Sequence, residues 1–207
     1  MTSGQAKILS DADIRRLLQV AKASRHPMRN AAIVQLSVRA GLRASEIALL
    51  DWSMVTDCRG NIAGVITLPG AITKYGLARR LPLHGELKSA LGRLRSRSCR
   101  KGPVIVSERG PVETPLDGLT SDPVHPMPMT PKSIVNWFTQ ACRLAGLEGC
   151  SSHSGRRTFV TRAARLVSKA GGSLRDVQQL AGHRSIETTQ AYIDGDHDIQ
   201  RRLIRMM

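Results

Sequence analysis

The apolar residues of this chain repeat at helical spacing, switch to two-residue alternation between Asn61 and Leu83, and return to helical spacing from Thr130 onward. Such a switch restricts the fold to helices packed around one small sheet, because neither pattern can take the other's place without turning its apolar face to water. Ser10 opens a first helix, with Asp11 and Asp13 in its first turn and Ile14, Leu17, Leu18 and Ala21 on one stripe. The spacing predicts a second helix over about Arg29 to Arg39, closed at Ala40-Gly41 where a glycine suits the C-cap. A short third, about Ala44 to Trp52, turns Ile47, Leu50 and Trp52 inward. Val65, Ile66 and Leu68, then Ile72 to Gly76, then Arg80 to Leu83 read as short strands of an antiparallel sheet, separated by turns such as Pro69-Gly70.

A helix from about Gly85 to Arg97 and a short strand at Val104-Ile105-Val106 follow. Pro111, Pro115, Pro123, Pro126, Pro128 and Pro131 then make residues 109–131 a long irregular insertion, expected to be mobile. Beyond it Ile134, Trp137, Phe138 and Cys142 share a helical face, and helices are expected over His153 to Lys169, Leu174 to Leu180 and Ser185 to Tyr192. Ser173, after Gly171-Gly172, has Asp176 three residues on in the manner of a capping box. The fold class is mainly α with a small antiparallel β-sheet (α+β), in one unit over residues 1–207.

Charge narrows the function. With 31 Lys and Arg against 16 Asp and Glu, the formal charge is +15, so a nucleic acid is the expected partner. The basic residues run through a globular pattern instead of forming a polybasic tail or a basic amphipathic helix, which argues against a membrane surface. Aromatic residues make up only 3% of the chain, too few for the stacking platforms of single-stranded RNA readers. Cys58, Cys99, Cys142 and Cys150 contain no C-x-x-C pair and read as free thiols, and Met1 to Ser10 lacks the apolar core of a signal peptide. These features place the protein in the cytoplasm, with the nucleoid.

Several residues carry candidate chemistry. Arg43 follows Gly41-Leu42 at a helix entrance, where a guanidinium can face a phosphate beside free backbone N–H groups, and Glu46 lies on the same helical side. Lys74 occupies the turn Thr73-Lys74-Tyr75-Gly76, from which an ammonium can reach a ligand. His153 and Arg156 stand one helical turn apart, and His183 projects after Leu180-Ala181-Gly182. Arg93, Arg95, Arg97, Arg100 and Lys101 suit general phosphate attraction, and Arg157 joins them as a DNA-binding candidate. Singly, each is an ordinary surface or packing residue.

Taken in order, Ala40-Gly41-Leu42-Arg43-Ala44-Ser45-Glu46-Ile47, Thr73-Lys74, His153-Ser154-Gly155-Arg156-Arg157-Thr158-Phe159, Leu180-Ala181-Gly182-His183 and Thr188-Thr189-Gln190-Ala191-Tyr192 resemble the catalytic domain of the tyrosine recombinases, also called the phage integrase family. The resemblance runs from about Ile8 to Tyr192. It implies in-line attack by Tyr192 on a phosphodiester, giving a 3′-phosphotyrosyl link and a free 5′ hydroxyl. Arg43 and Arg156 would hold the non-bridging oxygens, His153 would take the phenol proton, Lys74 would protonate the leaving oxygen, and His183 would hydrogen-bond the phosphate. Neither metal nor cofactor is called for.

The implied partners are double-stranded DNA, further copies of the chain in a dimeric or tetrameric synapse, and an accessory DNA-binding protein. The pattern starts almost at Met1, without the family's usual N-terminal clamping domain, and Gly155 and Arg157 stand where leucine and histidine are more usual. In the tail 196–207, Ile199, Leu203 and Met206 fall at helical spacing, and the family's tails often dock on a neighbouring protomer. Other readings are a type IB topoisomerase relaxing DNA without synapsis, a DNA-binding regulator with a decayed site, and, more distantly, a basic RNA-binding or ribosomal protein.

Overall fold

The computed structural model describes residues 6–96, 101–108, 126–192 and 204–205. Helix α1 (Asp11–Ala23) begins under a reciprocal cap: Asp13 N–H donates to Ser10 Oγ at 3.1 Å and Ser10 N–H to Asp13 Oδ2 at 3.0 Å. Helix α2 (Pro27–Ala40) starts earlier than its apolar spacing suggests, since Pro27 in the first turn gives up only an N–H that would have had no helical partner. It is the central helix. Ala32, Ile33, Val34, Leu36, Val38 and Ala40 are all buried, because α1, α4 (Gly85–Arg95) and α6 (Ser152–Val167) pack around it. Full burial of a Leu or Ile contributes roughly 1.5–3 kcal/mol, so this helix anchors the core.

The third helix, α3 (Ala44–Ala48), is shorter than the sequence predicts. Asp51 Oδ1 accepts Ser53 N–H at 2.9 Å and starts a separate 3-10 turn, Trp52–Met54, which still buries Trp52. Strands β1 (Val65–Leu68) and β2 (Arg79–Pro82) pair antiparallel, with Val65 opposite Pro82 and Leu68 opposite Arg79.

Two expected strands are absent. Residues 72–76 instead fold on themselves: a 3-10 turn, Gly70–Ile72, precedes Thr73, whose hydroxyl reaches the carbonyl oxygens of Gly70 and Leu77 at 3.0 Å each. Val104 to Val106 make single clips to Leu50, Met129 and Pro128. Pro103 and Pro128 carry no N–H, so a longer ladder cannot grow there.

The irregular segment is anchored at its end. Met127 O accepts Ser107 N–H at 2.8 Å, Met129 is buried, and Thr130 caps α5 (Pro131–Leu144); residues 109–125 lie outside the described part. Helices α6, α7 (Leu174–Ala181) and α8 (Ile186–Gln190) complete the fold, with the Ser173–Asp176 cap at α7 formed as expected. Val160, Val177 and Ala181 make a second small core against which Phe159 and Tyr192 pack. The segment before α1 is fastened to α6 by Leu9 N–H on Thr158 Oγ1 (2.8 Å), Arg157 Nη1 on Ala6 O (3.0 Å) and Arg162 Nη2 on Leu9 O (3.1 Å), and α1 itself by Arg162 Nη1 on Asp11 Oδ1 (2.8 Å). Of the tail, Ile204 and Arg205 are helical and exposed, and the rest of 196–207 lies outside the described residues.

Candidate active site

Two helix ends set the site. Gly41 closes α2 at φ 62° and Gly182 closes α7 at φ 61°, both left-handed, a conformation in which a Cβ is costly. Arg43 and His183 each follow one of these stops. Arg156, buried on α6, joins them by donating from Nη1 to Gly41 O and from Nη2 to Ala181 O, at 2.6 Å each. Helix C-terminal carbonyls carry partial negative charge, so one guanidinium clamps both ends. Two of its five N–H bonds are used, and the others remain for a ligand. Burial first, then the neighbouring Arg43 charge, pulls its pKa down to about 10, which leaves it cationic at neutral pH.

Glu46 is wholly buried and serves two arginines. Its Oε1 lies 3.0 Å from Arg43 Nη1, and its Oε2 takes the Arg43 backbone N–H at 2.9 Å. Arg79, at the start of β2, approaches it with both ends, Nη1 to Oε1 at 2.9 Å and Nη2 to Oε2 at 2.8 Å. Burial by itself would raise the Glu46 pKa; the Arg79 bonds and charge, helped by Arg43, outweigh it and hold the carboxyl below its ordinary range.

His183 is only 5% exposed, with Nδ1 2.9 Å from the buried Thr189 Oγ1. Burial first, and then Arg156, Arg43 and Arg79, lower its pKa to about 4, so the ring is neutral at pH 7. It stacks on the half-buried Tyr192, with centroids 5.4 Å apart and planes 22° from parallel. Arg43, Glu46, Arg156, His183 and Tyr192 are therefore assembled.

The remaining candidates stand apart. Lys74 is exposed, its ammonium 5.3 Å from the Tyr75 ring centre, and His153 is exposed at the start of α6; among the described residues neither bonds to the cluster. Arg157 is turned to the Ala6 carbonyl. Arg93 and Lys101 are exposed, Arg95 lies over the Trp52 ring at 5.1 Å, and Arg97 and Arg100 fall outside the described residues. Among the described residues no group of three or more His, Cys, Asp or Glu is placed to hold a metal ion, and no helix is long and apolar enough to cross a membrane.

Sequence reasoning missed Arg79 and Thr189. A signal existed for the first: Arg79 shares the inward face of β2 with Leu81, and a charge on an inward strand face calls for a partner. Thr189 sat in the Thr-Thr-Gln-Ala-Tyr motif without a role, because only the fold brings its hydroxyl to His183.

This chain belongs to the phage integrase family, whose model matches residues 7–198. Over 197 residues it is 30% identical to the tyrosine recombinase XerC of Brucella suis biovar 1 (strain 1330), an alignment covering 92% of this chain and 55% of that one. The chain thus spans about half the length of that relative. Its fold matches the crystal structure of XerA recombinase with a TM-score of 0.70 at 24% identity, over 96% of this chain and 64% of the other. It also matches a lambda integrase dimer bound to a COC′ core site, with a TM-score of 0.66 at 18% identity, over 92% of this chain and 49% of the other.

Proposed function

We propose that this chain supplies the catalytic part of a site-specific DNA recombinase, cutting and rejoining DNA through Tyr192. The observation that carries the reading is the assembly of the Tyr192 phenol, the neutral His183 imidazole and the guanidiniums of Arg43 and Arg156. The phenol oxygen attacks phosphorus in line, the bond to the 5′ oxygen breaks, and the DNA 3′ end is held as a phosphotyrosyl ester. Charge grows on the non-bridging oxygens, and the free N–H bonds of Arg43 and Arg156 are fixed there in advance by Glu46 and by the two helix-end carbonyls. His153 accepts the phenol proton and Lys74 returns one to the leaving oxygen; both stand exposed, on a helix start and a turn that bound DNA can draw in. Religation reverses each transfer, with no net consumption of bond energy.

On this reading the partner is double-stranded DNA, the chain works as a dimer or tetramer on it with help from an accessory DNA-binding protein, and it acts beside the chromosome in the cytoplasm. The lambda integrase dimer on its core site supports the DNA and the pairing. The test is covalent trapping on nicked duplexes tiled from the DNA around the gene, comparing the unaltered chain with Tyr192→Phe on a denaturing gel. A DNA adduct is expected with the unaltered chain and not with the variant. An adduct that survives Tyr192→Phe, or DNA binding with no adduct on any duplex, would overturn the reading.

A further inference from the structure

A cleft of about 660 Å³ opens beside His183, between the start of β2 and α7. Arg79, Arg80, Arg175 and Arg184 line it, together with one carboxylate, Asp176. Arg79 is spent on Glu46, and Asp176 is spent on the α7 cap, accepting Ser173 N–H at 2.7 Å and Ser173 Oγ–H at 3.1 Å. Arg80, Arg175 and Arg184 are exposed and, among the described residues, have no hydrogen bond or ion pair to the protein. The cleft therefore presents three uncompensated guanidiniums next to the imidazole that stacks on Tyr192.

We propose that this cleft receives the DNA backbone flanking the phosphate held at Arg43 and Arg156, with Arg80, Arg175 and Arg184 on its phosphates. The proposal rests on the recombinase reading and deepens it by naming a second stretch of contact. A small anion would call for buried, converging donors, whereas long exposed side chains along an open cleft suit an extended polyanion. Apart from His183 no ring lines the cleft, so bases have nothing to stack on and the contact positions the strand without reading its sequence.

The experiment is the salt dependence of binding of the full chain to a fluorescein-labelled random-sequence duplex, read by anisotropy. The set R80Q, R175Q and R184Q is compared with R15Q, R59Q and R143Q, equal in charge change and equally exposed but outside the cleft. Each lost phosphate contact lowers the slope of log K against log salt by about 0.9, so the cleft set should lose about 2 to 3 and the control set under about 1. A cleft-set slope equal to that of the unaltered chain, or equal losses in the two sets, would overturn the proposal. Failure of the wider reading shows separately. A slope difference without any Tyr192 adduct keeps the cleft as a DNA contact and removes strand cleavage; an unaltered chain without salt-dependent affinity for duplex removes both.

Discussion

At the scale of single residues, the imidazole of His183 can donate to a phosphate only from Nε2, which requires Nδ1 to be the unprotonated nitrogen. Nδ1 faces the Thr189 hydroxyl at 2.9 Å, so in that tautomer the threonine donates to it and holds the ring in place. Thr189 also sits on α8, next to the turn that carries Tyr192, so one side chain ties the phosphate donor to the nucleophile. Thr189→Val keeps the shape and removes the donor. Single-turnover adduct formation should slow by roughly 10- to 100-fold, up to the loss seen when one oxyanion donor is removed outright. Thr189→Ser should restore most of the rate. If the valine and serine variants slow cleavage equally, the hydroxyl is not what matters and packing around α8 is.

At the scale of elements, the site depends on where α2 and α7 stop. A Cβ at Gly182 would lie 2.5 Å from Arg79 Nη1 and 3.1 Å from its Cδ, at a φ of +61°. Gly182→Ala should therefore cost about 1 kcal/mol for the left-handed backbone, and more for displacing Arg79 from Glu46. Gly92→Ala, inside α4 with open space around its Cβ, should instead stabilise by roughly 0.5–1 kcal/mol. Urea unfolding of the two variants checks the sign of each; a neutral Gly182→Ala would show that the α7 stop is not under this constraint.

Helix ends of this kind were legible in the sequence, since Ala40-Gly41 and Ala181-Gly182 announce themselves locally, as do the Ser10 and Ser173 caps. Pairings across the chain were not. The Glu46–Arg79 pair joins residues 33 apart, and Arg156 reaches a carbonyl 115 positions away. Val104 to Val106 carry β-forming residues, yet the prolines opposite and beside them deny a ladder. Propensity could not reveal that.

At the scale of the whole molecule, packing a neutral imidazole and an ionised carboxylate among three arginines gives folding a characteristic pH dependence. The folded-state pKa of His183 is lowered to about 4, from an ordinary value of 6.5. Above pH 6.5 the ring is neutral in both states and contributes no slope. As pH falls through that value the unfolded chain takes up a proton that the folded chain refuses, and stability drops until about pH 4, by about 3 kcal/mol in total. Glu46 acts in the same direction lower down. Its folded pKa lies below 4.5, so the stabilisation present above that pH is lost as the unfolded carboxylate protonates first. Acid thus acts twice on one cluster, and neutralising carboxylates on a chain of formal charge +15 adds self-repulsion. Urea unfolding at pH 7, 5.5 and 4.5 should show stability falling across this range in the unaltered chain. His183→Gln should be less stable at pH 7 but lose less as pH falls from 6.5 to 4. Parallel losses in the two proteins would mean that His183 is not the group that titrates, and that its neutrality at the site must be sought in another cause than burial beside Arg156, Arg43 and Arg79.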